Sequence, residues 1–377
     1  MNIIKPQFEI LEQQYNKETL LEDMFKHIEI CGRTCYKSED KITDTSYEKF
    51  VKMLENANHG AMLEHGTVYL TIPLGTPIDD PQYMWKHDIV NFFTNNKYSV
   101  VKEKTINETV DVEIKGYGMR TQASAHFYYI TTNWRVIFEN KDKFLVKYLN
   151  NNYHFDKETV KDSVLQWMTE PTEEHEKRYT VRFTYHLAVA RDVNRHRVHS
   201  IGEESTRYCN YSKEKFGNGE LNICEPVFFS DLAKKRINSE NQWSLKTMCR
   251  LIAQGRENEM DAIDMWRFVN MACEFGYMYN TKNFKWTPQQ ASLMLPLDTK
   301  TCSVHTAFVS DWIHFFNLRA LGTTGAPRPS AKEVAWPLMI KFIEMRYIDI
   351  NNPKFDLNKF NEISNKYNNH IEDYIKL

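Results

Sequence analysis

Two short segments in which polar and apolar residues alternate do most to fix the fold class of this chain. Residues 67–72 read Thr-Val-Tyr-Leu-Thr-Ile, and residues 181–186 read Val-Arg-Phe-Thr-Tyr-His. Alternation with a period of two indicates a strand with one buried face. Patterns typical of helices follow along the chain. We therefore predict an α+β fold in which a mostly antiparallel sheet is flanked by long helices.

Start signals and apolar spacing place the predicted helices. Thr287 is followed by proline and, at the third helical position, by Gln290, which is a capping box. Residues 330–333, Ser-Ala-Lys-Glu, have the same form. Apolar residues spaced three and four apart predict one amphipathic helix over residues 304–319. Other helices are predicted at 20–30, 187–197, 243–254 and 260–278, and residues 73–177 are expected to hold helices and polar loops.

The charge balance argues against a protein that coats nucleic acid. The chain has 48 basic and 50 acidic residues, whereas neutralising phosphates needs a basic excess. No run of about 18 apolar residues and no leader peptide is visible, so no membrane span is expected. The seven cysteines include no CxxC pair. That usage predicts a reducing, cytoplasmic location without structural disulfides.

The most informative segment is 195–208, which reads Arg-His-Arg-Val-His-Ser-Ile-Gly-Glu-Glu-Ser-Thr-Arg-Tyr. The planar fork of arginine recognises phosphate and carboxylate through paired hydrogen bonds. Asp192 precedes Arg195 by three residues and His196 by four, so on a helix it would share their face. It would then hold them or accept a hydrogen bond from a substrate ring. The segment predicts a site for a phosphorylated ligand.

Three other interpretations of this segment remain open from the residues alone. An arginine-rich stretch is most often a solvated face with weak surface ion pairs. It could also be the phosphate patch of a nucleic-acid or nucleotide-binding module, which would be colourless and strongly salt-dependent. A metal site built from His196, His199 and Cys209 does not match the spacing of a closed zinc set. Flavin colour in the purified protein would separate these alternatives.

The spacing in this segment resembles the motif of the flavin-dependent thymidylate synthases. In that motif an Arg-His-Arg triplet is followed, after seven residues, by serine, as Arg195-His196-Arg197 is followed here by Ser205. Further blocks are similar to the family in the same order. They are residues 59–65 before the first strand, 295–296, 314, 318–319 and 331–334, with a fainter match at 32–36.

The resemblance implies an enzyme that methylates dUMP to dTMP with FAD, taking carbon from methylenetetrahydrofolate and electrons from NADPH. It also implies an α+β homotetramer whose sites are built from several subunits. Arg319 would be the catalytic residue, polarising the uracil. The residues that would hold FAD are His65, Arg195, His196, Arg197, Glu203 and His314. Those that would hold dUMP are Asp192, Glu203, Ser205, Arg207 and Arg319.

The chain also departs from the family pattern. Ser292 stands where an arginine that touches the nucleotide is expected, and Arg328 is the candidate substitute. Gly202 and Phe308 replace amides found in other members. No proline is followed by cysteine, so the cysteine nucleophile of the flavin-free enzymes is not expected. We predict one domain over residues 1–377, with insertions at about 73–177 and 210–285, and no metal.

Overall fold

The computed structural model describes residues 1–75, 80, 82–114, 117–144, 163–217, 219–239, 242–368 and 370–377, and the side chains of all of these except 107–114 and 117–125. The strands are β1 Asn2–Ile4, β2 Gln7–Leu11, β3 Thr67–Leu74, β4 Val100–Ile114, β5 Tyr117–Asn133, β6 Arg178–His186, β7 Ser200–Glu203, β8 Asn222–Cys224 and β9 Lys300–Phe308.

Helices occupy much of the remaining chain. They are α1 Leu20–Tyr36, α2 Ser46–Asn56, α3 Gly60–Leu63, α4 Tyr83–Thr94, α5 Trp134–Glu139, α6 Lys141–Phe144, α7 Leu187–Val193, α8 Asp231–Ile237, α9 Leu245–Ala253, α10 Ala262–Asn283, α11 Pro288–Ala291, α12 Val309–Phe316, α13 Pro329–Glu344, α14 Leu357–Lys366 and α15 Ile371–Lys376. A π-helical turn, Asn317–Leu321, continues α12. Among the described residues, no helix is both long and apolar enough to cross a bilayer.

Three of the described strand pairings are antiparallel and one is parallel. One sheet has the order β2-β6-β9-β7, and another has the order β3-β5-β4. Strands β7 and β9 are antiparallel, as are β3 and β5 and β4 and β5. The short pair β1 and β8 is parallel. The predicted α+β class with a mostly antiparallel sheet is therefore confirmed.

The chain divides into two compact units. Unit one comprises Met1–Leu11, Gly32–Asp40 and Val181–Leu377, and unit two comprises Glu12–Cys31 and Lys41–Thr180. Unit one contains strands β2, β7 and β9, most of β6, and α12. Phe183, Trp312 and Phe315 form an aromatic core there. The prediction of one domain with two insertions stays a prediction.

Both predicted strands are confirmed, as β3 and β6, and so is the capping box at Thr287. The predicted helix at 304–319 is wrong in its first third, because β9 runs to Phe308 before α12 begins. Strand β9 is largely buried, with burial on both faces. A strand buried on both faces lacks clear alternation, so its apolar positions matched a helical spacing by chance.

Three other predictions need correction. The helix that starts at Leu187 ends at Val193 rather than residue 197, because the chain turns tightly after Asn194 and the His196 amide bonds to the Val193 carbonyl. Helix α13 starts at Pro329 with Arg328 as its N-cap, so Ser330 caps nothing. Residues 73–177 include the long antiparallel pair β4 and β5, not only helices and loops.

Candidate active site

The loop between α7 and β7 presents alternate side chains to solvent and to the core. His196 and His199 are buried, whereas Arg195 and Arg197 are exposed. The loop is tightly turned, since the His196 amide donates to the Val193 carbonyl and the His199 amide to the His196 carbonyl. Within the described part of the chain, neither arginine side chain makes a hydrogen bond or an ion pair. The loop therefore offers two guanidinium groups that pair with no carboxylate among the described residues.

The buried histidines of the loop pack against α12. The His196 ring lies 5.0 Å from Phe315 and 5.8 Å from His314, and His199 lies 4.7 Å from Trp312, centroid to centroid. Burial, together with the neighbouring Arg319 and His314, lowers the pKa of His196 to about 4. The imidazole is therefore neutral near pH 7 and can accept a hydrogen bond.

Arg319 supplies the donor for that imidazole. It lies in the π-helical turn after α12, and its Nε donates to His196 Nε2 at 3.1 Å. Its Nη2 donates to the Asp192 carbonyl at 2.7 Å. Among the described residues, Nη1 has no partner. Two contacts thus fix the guanidinium plane while one nitrogen remains for a ligand. Isolated π turns of this kind occur frequently at functional sites.

Asp192 is held at the end of α7 by two arginines. Its carbonyl accepts from Arg319, and its carboxylate pairs with Arg328 at 2.9 Å. The expectation that Asp192 shares a helix face with Arg195 and His196 is wrong, because the helix ends at Val193. The structure brings Asp192 to Arg319 and Arg328 instead.

Glu203 ends strand β7 and is held by two neutral donors. Its carboxylate accepts from Asn194 Nδ2 at 2.6 Å and from Thr301 Oγ1 at 3.2 Å. Burial raises the pKa of Glu203, although both donors lower it. Sequence reasoning missed Asn194 and Thr301. The signal for Asn194 was its place at the helix end, since short polar side chains there often bond outside the helix.

The next residue, Glu204, has a different set of partners. It is buried and accepts from Lys300 at 2.6 Å, from Lys37 at 3.2 Å and from the Tyr211 hydroxyl at 3.0 Å. Burial lowers the pKa of Lys300, but Glu204 and Cys302 together raise it above its usual value, so the lysine is charged. Glu204 directly follows the end of β7, and its three partners differ from those of Glu203. Glu204 therefore anchors the strand and leaves Glu203 for the site.

Ser205 and Arg207 follow in a tight turn. The Ser205 amide donates to the Cys35 carbonyl at 3.4 Å, and its own carbonyl accepts from the amides of Tyr208 and Cys209. Arg207 is exposed and, among the described residues, has no ion pair. Burial raises the pKa of Cys209 to about 12. That thiol is protonated near pH 7, which does not suit a nucleophile.

A cleft of about 600 Å³ in unit one was not predicted from the sequence. Three lysines and three acidic side chains line it, so its charges balance. Lys37 and Lys300 in this cleft already pair with Glu204. The lining residues are Thr34, Lys37, Glu39, Asp40, Glu214, Lys215, Lys300 and Cys302.

His65 and His314, both predicted flavin ligands, differ in their surroundings. His65 is fully buried in unit two, where burial, His27 and Arg178 lower its pKa to about 3. His314 is exposed on α12 beside His196. Both assignments stay predictions. In unit one, the structure does bring Asp192, His196, His314 and Arg319 together.

Comparison with known proteins now gives the family. No curated protein matches the chain. Thymidylate Synthase X from Helicobacter pylori, solved with FAD and dUMP, is 11% identical with a TM-score of 0.29, over 43% of this chain and 66% of that one. A UMP/dUMP methylase from Streptomyces cacaoi bound with 5-Br dUMP is 11% identical with a TM-score of 0.33, over 91% and 93%.

These structural likenesses are too weak to bear on the site. The family model described as thymidylate synthase complementing protein, in contrast, matches residues 135–342, which is more than half of the 377 residues. The match includes the loop after α7, strand β7 and the π-helical turn. The chain belongs to the thymidylate synthase complementing protein family.

Proposed function

We propose that this chain is a flavin-dependent thymidylate synthase, a methyltransferase that converts dUMP to dTMP. Methylenetetrahydrofolate would be the carbon donor and NADPH the reductant. The observation that carries the proposal is the set of exposed arginines at 195, 197 and 207, none of which pairs with a carboxylate among the described residues. In a chain of this family, such a set is suited to phosphorylated ligands.

The donors of the loop fit FAD. A flavin diphosphate needs cationic donors for its phosphates, which Arg195 and Arg197 would supply. His196, His314 and Glu203, which lie in unit one, would also contact FAD, as would His65, which lies in unit two. When bound, FAD supplies the redox chemistry and the transfer of the one-carbon unit, while the protein binds and orients.

The second ligand, dUMP, would be held by the residues after the loop. Arg207 would bind the phosphate and Ser205 would donate to it. Glu203 has lone pairs left after accepting from Asn194 and Thr301, so it can accept from a sugar or ring donor. Arg319 already donates to the carbonyl of Asp192, and Arg328 donates to its carboxylate. We therefore assign Asp192 mainly to positioning Arg319.

Arg319 would act in the chemical step. Its Nη1 is available, and the contacts to His196 and Asp192 fix the plane of the guanidinium. A fixed cation beside the uracil stabilises negative charge that develops on the ring, with little reorganisation during the reaction. The neutral His196 imidazole keeps a second positive charge out of this position.

The same proposal includes a cytoplasmic homotetramer with sites shared between subunits. Sedimentation of the purified protein would establish the number of subunits. A monomer that is fully active would contradict the shared site.

The first experiment is a test for flavin and for dTMP formation. Purified protein, reconstituted with FAD, should show a flavin absorbance spectrum and oxidise NADPH. With methylenetetrahydrofolate and dUMP it should form dTMP, measured by chromatography. Parallel reactions with UMP would define the sugar specificity. An Arg197→Ala variant should bind FAD less tightly, whereas Arg256→Ala, a surface arginine paired with Glu259, should not. Protein that binds no FAD and forms no dTMP would falsify the proposal.

A further inference from the structure

The chain beyond the family match packs against the turn that carries Arg319. The match ends at residue 342, and the residues after it form α14 and α15. Both helices lie in unit one, as does the π-helical turn Asn317–Leu321. Hydrogen bonds from this C-terminal segment reach the turn at two places, one on each side of Arg319.

The first place is Asn317, two residues before Arg319. Its Nδ2 donates to the Lys354 carbonyl at 2.7 Å, and its Oδ1 accepts from the Asp356 amide at 3.1 Å. Its own carbonyl accepts from the Thr323 amide at 3.0 Å. The side-chain amide therefore has both of its groups bonded to the C-terminal segment. This arrangement fixes the start of the turn.

The second place is Ala320, directly after Arg319. The Tyr374 hydroxyl donates to the Ala320 carbonyl at 2.7 Å. Carbonyls in the last turn of a helix lack partners within the helix, and Ala320 lies in that position. Burial raises the pKa of Tyr374 to about 12, so the hydroxyl remains a donor near pH 7. Tyr374 thus fixes the end of the turn.

Tyr374 is itself held by α13. Lys332, which is 2% exposed, donates from Nζ to the Tyr374 carbonyl at 2.6 Å, and its ammonium lies 4.3 Å from the centre of the Tyr374 ring. The Trp336 ring lies 5.4 Å from the same ring in an edge contact. A buried ammonium with a defined partner is a specific anchor, because leaving it without one is costly.

We propose that Lys354, Asp356 and Tyr374 of the C-terminal segment act as a clamp that positions Arg319, and that Tyr374 is a positioning residue for the reaction. This inference rests on the role proposed above for Arg319. A π turn is less regular than an α-helix and is seldom long. Catalytic groups need placement to within about 0.5 Å, which depends on the residues that support them. Bonds at Asn317 and Ala320 limit the movement of the backbone that carries Arg319.

The test compares Tyr374→Phe with Tyr367→Phe. Both changes remove only a hydroxyl, and Tyr367 lies in the same segment with its ring 5.6 Å from Tyr374. Loss of one neutral hydrogen bond, about 0.5–1.5 kcal/mol, corresponds to roughly two- to tenfold. Tyr374→Phe should lower kcat for dTMP formation by about that factor, with FAD content and the KM for dUMP unchanged. Tyr367→Phe should leave kcat unchanged.

A double-mutant cycle separates positioning from a general loss of stability. If Tyr374 acts through Arg319, Tyr374→Phe should lower kcat in the parent but not in the Arg319→Lys background. Equal losses in both backgrounds would overturn the proposal. Asn317→Ser, which changes the other end of the turn, should show the same dependence on Arg319.

Hydrogen exchange tests the clamp without using activity. Amides of residues 317–323 should exchange several-fold faster in Tyr374→Phe than in the parent or in Tyr367→Phe. Unchanged exchange would contradict the clamp even if dTMP is formed. If the parent forms no dTMP but exchange does increase in Tyr374→Phe, the proposed function fails while the clamp stands.

Discussion

The arginines of the loop after α7 and the arginine of the π-helical turn are held in opposite ways. Arg195, Arg197 and Arg207 are exposed, and among the described residues their side chains have no partner. Arg319 is half-buried and donates to both His196 and the Asp192 carbonyl. One region leaves its cations for a ligand to order, and the other fixes its cation in advance.

This difference separates binding from chemistry. An exposed arginine loses side-chain entropy only when the ligand arrives, so its contribution is to affinity. A guanidinium that is already fixed needs no ordering when charge develops in the transition state, so its contribution is to rate. Changes in the loop should therefore alter binding constants, and changes in the π turn should alter kcat.

The largest effect is expected from Arg319→Lys. Lysine keeps the charge but cannot donate to His196 and Asp192 while facing a ligand, since its ammonium is a point donor. Loss of one preorganised donor typically costs about 10²–10³ in rate. Steady-state kinetics should show that loss in kcat, with FAD bound and the melting temperature near the parent value. Turnover close to that of the parent would make Arg319 a helix-end residue.

A smaller effect, and of a different kind, is expected from Arg207→Ala. Loss of a charged hydrogen-bond partner typically costs about 1.5–3 kcal/mol, or roughly ten- to hundredfold in affinity. The dissociation constant for dUMP, measured by titration calorimetry, should rise by that factor while kcat at saturation changes little. A fall in kcat without a change in affinity would contradict the contrast between the two regions.

The smallest effect is expected from Arg328→Ala. This side chain is exposed like the loop arginines but is already paired within the protein like Arg319. Arg328 is about half exposed and already pairs with Asp192. An exposed pair is worth about 0–1 kcal/mol. We expect dUMP binding to weaken by less than about tenfold, with FAD retained. A loss as large as that of Arg207→Ala would show that Arg328 replaces the family arginine missing at Ser292.

Local patterns predicted the strands and the fold class but not the boundaries next to the site. Strand β6 could be predicted because one face is buried and the other is not. Strand β9 could not, since a strand buried on both faces has no alternation. Helix α7 ends early because the His196 amide bonds back to the Val193 carbonyl in a tight turn. The apolar spacing that predicted the helix did not reveal this turn.

The candidate site, like the fold, was predicted from the sequence only in part. The resemblance, through the motif at Arg195–Arg207 and the blocks at 314 and 318–319, selected His196, His314 and Arg319, which the structure brings together. It did not reveal what holds them. Neither Tyr374 nor Asn317 belongs to the motif, and their contacts join residues 54 and 39 positions apart.

The buried histidines make the folded chain sensitive to acid. The pKa of His27 and that of His196 are lowered to about 4, and that of His65 to about 3, mainly by burial. In an unfolded chain each would titrate near 6.5. Between these values the unfolded state binds more protons than the folded state, so the free energy of unfolding falls as the pH falls. The contribution of these histidines to stability should therefore be constant above about pH 7 and decline steadily from about pH 6.5 toward pH 4.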